Sequence, residues 1–247
     1  MAQGILYIVP TPIGNLDDIS HRALKILNEV DVIACEDTRH TQNLLSHFEI
    51  SKTLTSYHDF NKEEKAPLLI KLISEGSRVA LVSDAGTPTV SDPGYLLINE
   101  AISRGIRVIP VPGPSAFLTA LSASGLPTDA FCFQGFLPKK KNARLRMIEM
   151  LSVERNTLVF YESPYRILSV LEEFLSVFGD RRAVIARELT KQFEEMLYGN
   201  LSELIARKWK IKGELTLIIE GFRKEKHQRR HPQAGGREEV FNRSSDD

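Results

Sequence analysis

The chain has 247 residues, 42% hydrophobic and 26% charged, enough to bury a substantial core as one large domain or two small ones. Lysine plus arginine equals aspartate plus glutamate at 32 each, so no global field selects a polyanionic partner, and any nucleic-acid surface has to be a local patch. Cys35 and Cys132 lie far apart with no C-x-x-C, and no apolar run reaches the roughly 18 residues of a membrane span or the length of a signal h-region. A cytoplasmic protein with no membrane partner is expected.

Residues 5–9 form a short apolar run ended by Pro10-Thr11-Pro12-Ile13-Gly14-Asn15, after which Ile19, Ala23, Leu27 and Val30 recur at helical spacing. Strand, loop and helix follow in that order. Residues 31–34 predict a second strand running into Cys35-Glu36-Asp37-Thr38-Arg39-His40, a dense polar cluster before a helix from about Thr41 to Phe48. Two readings of the cluster stay open: a helix cap by Asp37 or Thr38 with a surface Glu36–Arg39 pair, or the rim of a site.

Residues 53–56 read as a strand and 62–75 as a helix. In LVSDAGTPTVSDPG, residues 81–94, a buried strand over 79–82 stops abruptly, since Gly frees the backbone and Pro removes a donor. Ser91 or Asp92 is an N-cap candidate, Pro93 suits a first helical turn, and Tyr95, Ile98 and Ile102 continue the helix to Gly105. The loop is either an ordinary βα connection or a ligand site, because open α/β sheets bind ligands outside the carboxyl ends of their strands. A further strand at 107–111 ends in Pro112-Gly113-Pro114-Ser115-Ala116, with a helix after it closed by Gly125. This alternation predicts an α/β domain over 1–125 with a mainly parallel sheet.

A second α+β or α/β domain is expected over 126–222, with strands at 131–133, 157–161, 183–186 and 214–220. Residues 137–146, LPKKKNARLR, hold five cations and no acid, which makes Lys139, Lys140, Lys141 and Arg144 candidates for phosphate contact. The helix after Glu162-Ser163-Pro164-Tyr165-Arg166 carries Ile167, Val170, Leu171 and Phe174 as its buried stripe, and Pro164 fits its first turn. Residues 187–195 are too densely charged for a core. Residues 223–247 lose periodicity and read as a disordered polar tail. His227 and His231 there lack a third ligand, so no metal site is expected.

Neither G-x-G-x-x-G after a strand, nor G-x-x-x-x-G-K-[ST], H-E-x-x-H or G-x-S-x-G occurs. Seven blocks do occur in one order: PTPIGNLDDI (10–19), EDTRHT (36–41), SDAGTPTVSDPG (83–94), PGPSA (112–116), GFLP (135–138), ESPYR (162–166) and RELTK (187–191). On these blocks the chain, over about residues 4–222, resembles the ribosomal RNA cytidine 2′-O-methyltransferases of the tetrapyrrole-methylase, or class III, fold.

The resemblance implies two α/β domains with S-adenosylmethionine in the cleft between them, a homodimer, and a cytidine in 16S rRNA of the small ribosomal subunit as substrate. By position it carries the cofactor role to Ile13, Asp84, Gly86, Thr87, Val90, Ser115 and Ala116. Residues 158–161 and the last strands then supply the second domain's share. Methyl transfer to a 2′-hydroxyl benefits from a base or a cation, for which Asp37, Glu162, Glu188 and Lys191 are the candidates, Lys191 first, with Arg39 and Arg166 as phosphate anchors. Two other classes stay open: methylation of a small molecule such as a tetrapyrrole, and a non-catalytic RNA-binding factor.

Overall fold

The computed structural model describes residues 4–207 and 212–223; His227, His231 and nearly all of the tail lie outside them. Two five-stranded sheets organise the chain. The first contains β1 (Ile5–Ile8), β2 (Val32–Cys35), β3 (Thr53–Ser56), β4 (Arg78–Leu81) and β5 (Arg107–Pro110), all parallel, in the order β3-β2-β4-β1-β5. Its crossovers are α1 (His21–Glu29), α2 (Thr38–His47), α3 (Lys62–Ser74) and α4 (Tyr95–Ser103). Apolar residues on both faces, such as Leu6 and Leu81 on one and Val9 and Ile33 on the other, pack under those helices. A parallel sheet covered on both faces needs that pattern.

The helix after the 81–94 loop begins three residues later than Ser91 and two later than Asp92 would place it. Its N-cap is Gly94 at φ 149°, where a Cβ would stand 2.5 Å from Thr89 Cγ2 and 2.9 Å from Leu81 Cδ2. Ser91 and Asp92 thereby stay in the loop.

The second sheet is mixed, in the order β6-β7-β10-β8-β9. It contains β6 (Phe131–Phe136), β7 (Thr157–Glu162), β8 (Arg182–Arg187), β9 (Glu195–Asn200) and β10 (Leu215–Ile219). β6 and β7 run parallel, and β10 is antiparallel to both β7 and β8. Alternation sorts its two faces. Leu158, Phe160, Ile185 and Leu217 pack under α6 (Lys141–Leu151), α7 (Ile167–Phe178) and α8 (Leu201–Ala206), while Val159, Val184, Ala186 and Ile218 meet Ala120 and Leu121 of α5 (Ala116–Ser122) and Ile13 of the first loop. The chain therefore crosses to the second sheet before α5.

The densely charged 187–195 stretch still sends Leu189 into the core, and β9, which overlaps it only at Glu195, is a strand the sequence did not predict. As an edge strand paired only with β8, it needs one buried side, and Arg187 meets Glu195 across the pair at 3.1 Å. Pro164 stands ahead of α7, which starts at Ile167.

Candidate active site

The three Gly/Pro loops of the first sheet are tied to one another by their backbones. Thr11 and Gly86 exchange N–H···O bonds at 2.9 and 3.0 Å, and the Thr11 hydroxyl donates to the Ser83 carbonyl at 3.0 Å. The Thr87 hydroxyl donates to the Pro114 carbonyl at 3.0 Å, linking the second loop to the third. Gly86, at φ 82°, takes a conformation that a side chain would strain, and it leaves Ile13 to close that corner.

Against these loops stand strand ends of the second sheet. Because β10 is antiparallel to its neighbours, its first residue, Leu215, pairs with Glu162 and with Arg187, the last residues of β7 and β8. Start and ends thus share one rim. A cavity of about 380 Å³ lies between the two sets, within the usual size of a cofactor site. Its walls are Ile13, Ala85, Gly86, Thr87, Val90, Ser91, Asp92, Ser115 and Ala116 on one side, and Phe136, Tyr161–Pro164, Ala186, Leu189 and Gly213–Thr216 on the other. Most of these groups are apolar or backbone.

The two walls are also latched beside the cavity. Asn15 N–H donates to the Thr190 hydroxyl at 3.1 Å, and Gly14 is so close to the 188–191 turn that a Cβ would lie 2.5 Å from Lys191 Cγ. Glu188 and Thr190 hold φ angles of 49° and 66° in that turn. Such backbone is kept only where its surroundings over-determine it.

Three acidic residues line the cavity: Asp92, Glu162 and Glu214. Glu162 is buried and accepts from Arg166 at 2.6 Å and from Ser163 N–H at 2.6 Å. Glu214 receives Lys191 Nζ at 3.0 Å. Asp92 has acidic neighbours instead: burial and the charge of Glu36 push its carboxyl up to about 6, a bond from Ser83 opposes the rise, and Asp84 adds to it. Burial, with Asp84 and Asp59 nearby, likewise raises Glu36.

Six of the seven residues assigned to the cofactor, Ile13, Gly86, Thr87, Val90, Ser115 and Ala116, line the cavity. Asp84 stands behind it, its carboxylate accepting Asp37 N–H at 3.0 Å. Of the four base or cation candidates only Glu162 is among the lining residues, and its side chain is fully buried behind that wall. Asp37 caps α2 by accepting Arg39 N–H, which holds its carboxyl below the usual range. Lys191 bridges Glu188 at 3.2 Å and Glu214 at 3.0 Å; burial lowers its pKa, but the bonds and charges of those carboxylates outweigh that and raise it. The ammonium stays charged. Glu188 is lowered by Glu214 N–H first, against burial, and then by Lys191.

Two cations assigned to RNA are committed elsewhere. Arg144 is 6% exposed, binds Glu173 through two bonds of 2.7 and 2.8 Å and donates to the Pro138 and Lys139 carbonyls, so it cannot meet a phosphate. Its place on the inward face of α6 is the reason. Arg166 spends its donors on Glu162 and on the Leu137 and Pro138 carbonyls, which fixes the 135–138 loop to the end of β7. Arg39, Lys139, Lys140 and Lys141 are exposed. Sequence reasoning missed Ser91 and Asp92 as wall residues because they resembled a cap, and missed Phe136 and Leu189; Phe136 comes to the Phe133 face only through the bulge between Phe133 and Gly135, which alternation does not predict.

The family model described as Tetrapyrrole (Corrin/Porphyrin) Methylases matches residues 5–205. The ribosomal RNA small subunit methyltransferase I of Halalkalibacterium halodurans is 52% identical over 221 residues, covering 89% of this chain and 76% of that protein. That of Escherichia coli O157:H7 is 51% identical over 229 residues, covering 90% and 79%. Among solved structures, uroporphyrin-III-C-methyltransferase from Thermus thermophilus superposes with a TM-score of 0.64 at 21% identity, covering 88% of this chain and 94% of that one. The Thermus thermophilus enzyme complexed with S-adenosyl homocysteine gives a TM-score of 0.61 at 20% identity, covering 88% and 97%.

An α/β fold of two sheets enclosing a cofactor-sized cleft, with the family match over most of the chain, defines a class III methylase: the chain belongs to the tetrapyrrole methylase family. Within it, half-identity across nine-tenths of the sequence places the chain with the ribosomal RNA small subunit methyltransferase I proteins.

Proposed function

We propose that the chain transfers a methyl group from S-adenosylmethionine to the ribose 2′-oxygen of a cytidine in 16S rRNA of the small ribosomal subunit. The observation that carries the reading is the cleft itself: three tied loops and the facing strand ends enclose about 380 Å³, in a chain half identical to ribosomal RNA methyltransferases. The donor supplies an electrophilic methyl on a sulfonium.

The residues present suit such a ligand. Ile13, Val90 and Ala116 offer apolar walls for a base, and the 85–87 backbone, opened by Gly86, offers polar groups that need no counter-charge. Ser115 lies against the same space. Aligning the acceptor oxygen and excluding water supply much of the acceleration of an in-line transfer. Lys191, held charged behind Glu214, acts as a positioning residue that keeps the 188–191 turn and the first loop in register. Lys139, Lys140 and Lys141, exposed where β6 gives way to α6, with Arg39 near the rim of the first sheet, meet RNA phosphates.

The resemblance also supports a homodimer, with a cytoplasmic location that follows from the substrate. Exposed Leu118, Phe131 and Tyr198 near the second sheet offer an apolar face for a second copy. No helix among the described residues is long and apolar enough to cross a membrane. Incubating the protein with S-adenosylmethionine and undermethylated small subunits, then digesting the RNA and weighing its nucleosides, tests the activity: 2′-O-methylcytidine is expected, and a base-methylated product or none would refute it.

A further inference from the structure

Resting on that methyl-transfer reading, we propose that Asp92 is the general base of the reaction. Its carboxylate takes the proton from the ribose 2′-hydroxyl as the O–H bond breaks. The oxygen's electron pair forms the new bond to the methyl carbon, and the carbon–sulfur pair remains on the donor's sulfur, leaving a neutral thioether.

The geometry distinguishes Asp92 from the other two carboxylates of the cavity. Glu162 is paired through Oε1 with Arg166 at 2.6 Å and Glu214 with Lys191 at 3.0 Å, so each already has a cation against it. No cation pairs with Asp92 among the described residues. The groups that face it are the Ser83 hydroxyl from the same loop, Glu36 and Asp84 from the ends of β2 and β4, and Tyr161 from β7 across the cleft, whose phenol Asp92 helps to raise after burial. Acidic neighbours on the first sheet and an aromatic wall on the second disfavour the charge without neutralising it. At about 6, the group is ionised at neutral pH and still basic enough to share a developing proton.

The loop holds the carboxylate there by strained backbone rather than by an ion pair. Thr89 and Ser91, on either side of Val90, take φ angles of 74° and 71°, and the Ser91 hydroxyl would stand 3.1 Å from a Cβ at Gly135 of β6. Asp92 is half-buried, so an acceptor entering the cleft can reach it. Asp37, Glu188 and Lys191 have no such access to the cavity wall.

The test compares wild-type protein with Asp92→Asn on undermethylated small subunits. The variant is expected to lose about 100-fold or more of methyl transfer, the usual contribution of a general base, while binding S-adenosylmethionine within a few-fold of wild type. The wild-type kcat/KM profile should rise with pH through about 6, and the residual activity of the variant should lack that limb. A readout independent of turnover accompanies it: the stability difference between the two proteins should change across the same pH range. Near-normal transfer by Asp92→Asn, loss of donor binding, or a flat acid limb in the wild type would each overturn the assignment; should the variant fail to fold, the wild-type profile decides. Inactivity of the wild type on small-subunit RNA would overturn the functional reading beneath it, whereas activity kept by the variant overturns the base alone.

Discussion

At the scale of single residues, Arg144 and Asp92 show how side-chain chemistry can mislead without a partner in view. Arg144 sits in a basic run, yet it shares the inward face of α6 with Ile148, four residues on, while Lys139–Lys141 stand exposed at the helix start. Removing it strands Glu173: Arg144→Ala should destabilise by about 3 kcal/mol, lowering the melting temperature while leaving the salt dependence of RNA binding unchanged. Asp92 followed a helix-start pattern that Gly94 took over. Its folded pKa, about 6, lies above the ordinary carboxylate value, so the folded state binds the extra proton and stability falls as pH rises from about 4 to about 6. Asp92→Asn should therefore melt higher than wild type at pH 7, by about 1 kcal/mol after allowing for partial exposure, with the gain vanishing below about pH 4.

Elements were legible where burial and periodicity agreed. β1, β4 and β5 of the first sheet sit where short apolar runs ended in Gly and Pro, and β2 where one ended in charge, because an inner parallel strand buried on both faces has little other composition to adopt. β9 was hidden, since only Met196, Leu197 and Tyr198 form its apolar run before Gly199, and an edge strand needs only one buried side. The loops carry the two sharpest element-scale predictions. Gly14→Ala forces a Cβ against Lys191 and Thr190, so it should part the two walls and weaken S-adenosylmethionine binding at least tenfold in titration calorimetry, with the protein still folded. Replacing Lys139, Lys140 and Lys141 together by Ser should weaken RNA binding at every salt concentration and reduce the salt slope by about 2, at roughly 0.7 per lost phosphate contact, without touching donor affinity.

For the whole molecule, the order of loops along the chain announced a shared site, but the sheet order did not. Nothing in a linear sequence says that β10 runs antiparallel between β7 and β8, and that arrangement puts Leu215 and Thr216 into the cavity beside Tyr161 and Ala186. Nor does it say that α5 packs on the second sheet, so that the 111–115 connection is both cavity wall and crossover. With both sheets contributing to one cleft, donor binding should tie them together: S-adenosylmethionine at 100 times its Kd should stabilise the fold by about 2.7 kcal/mol. The most direct measurement is nucleoside mass spectrometry of small-subunit RNA after incubation with the protein and methyl-labelled S-adenosylmethionine. One labelled 2′-O-methylcytidine per subunit is the predicted result; label on a base, or none in RNA that the protein demonstrably binds, would contradict it.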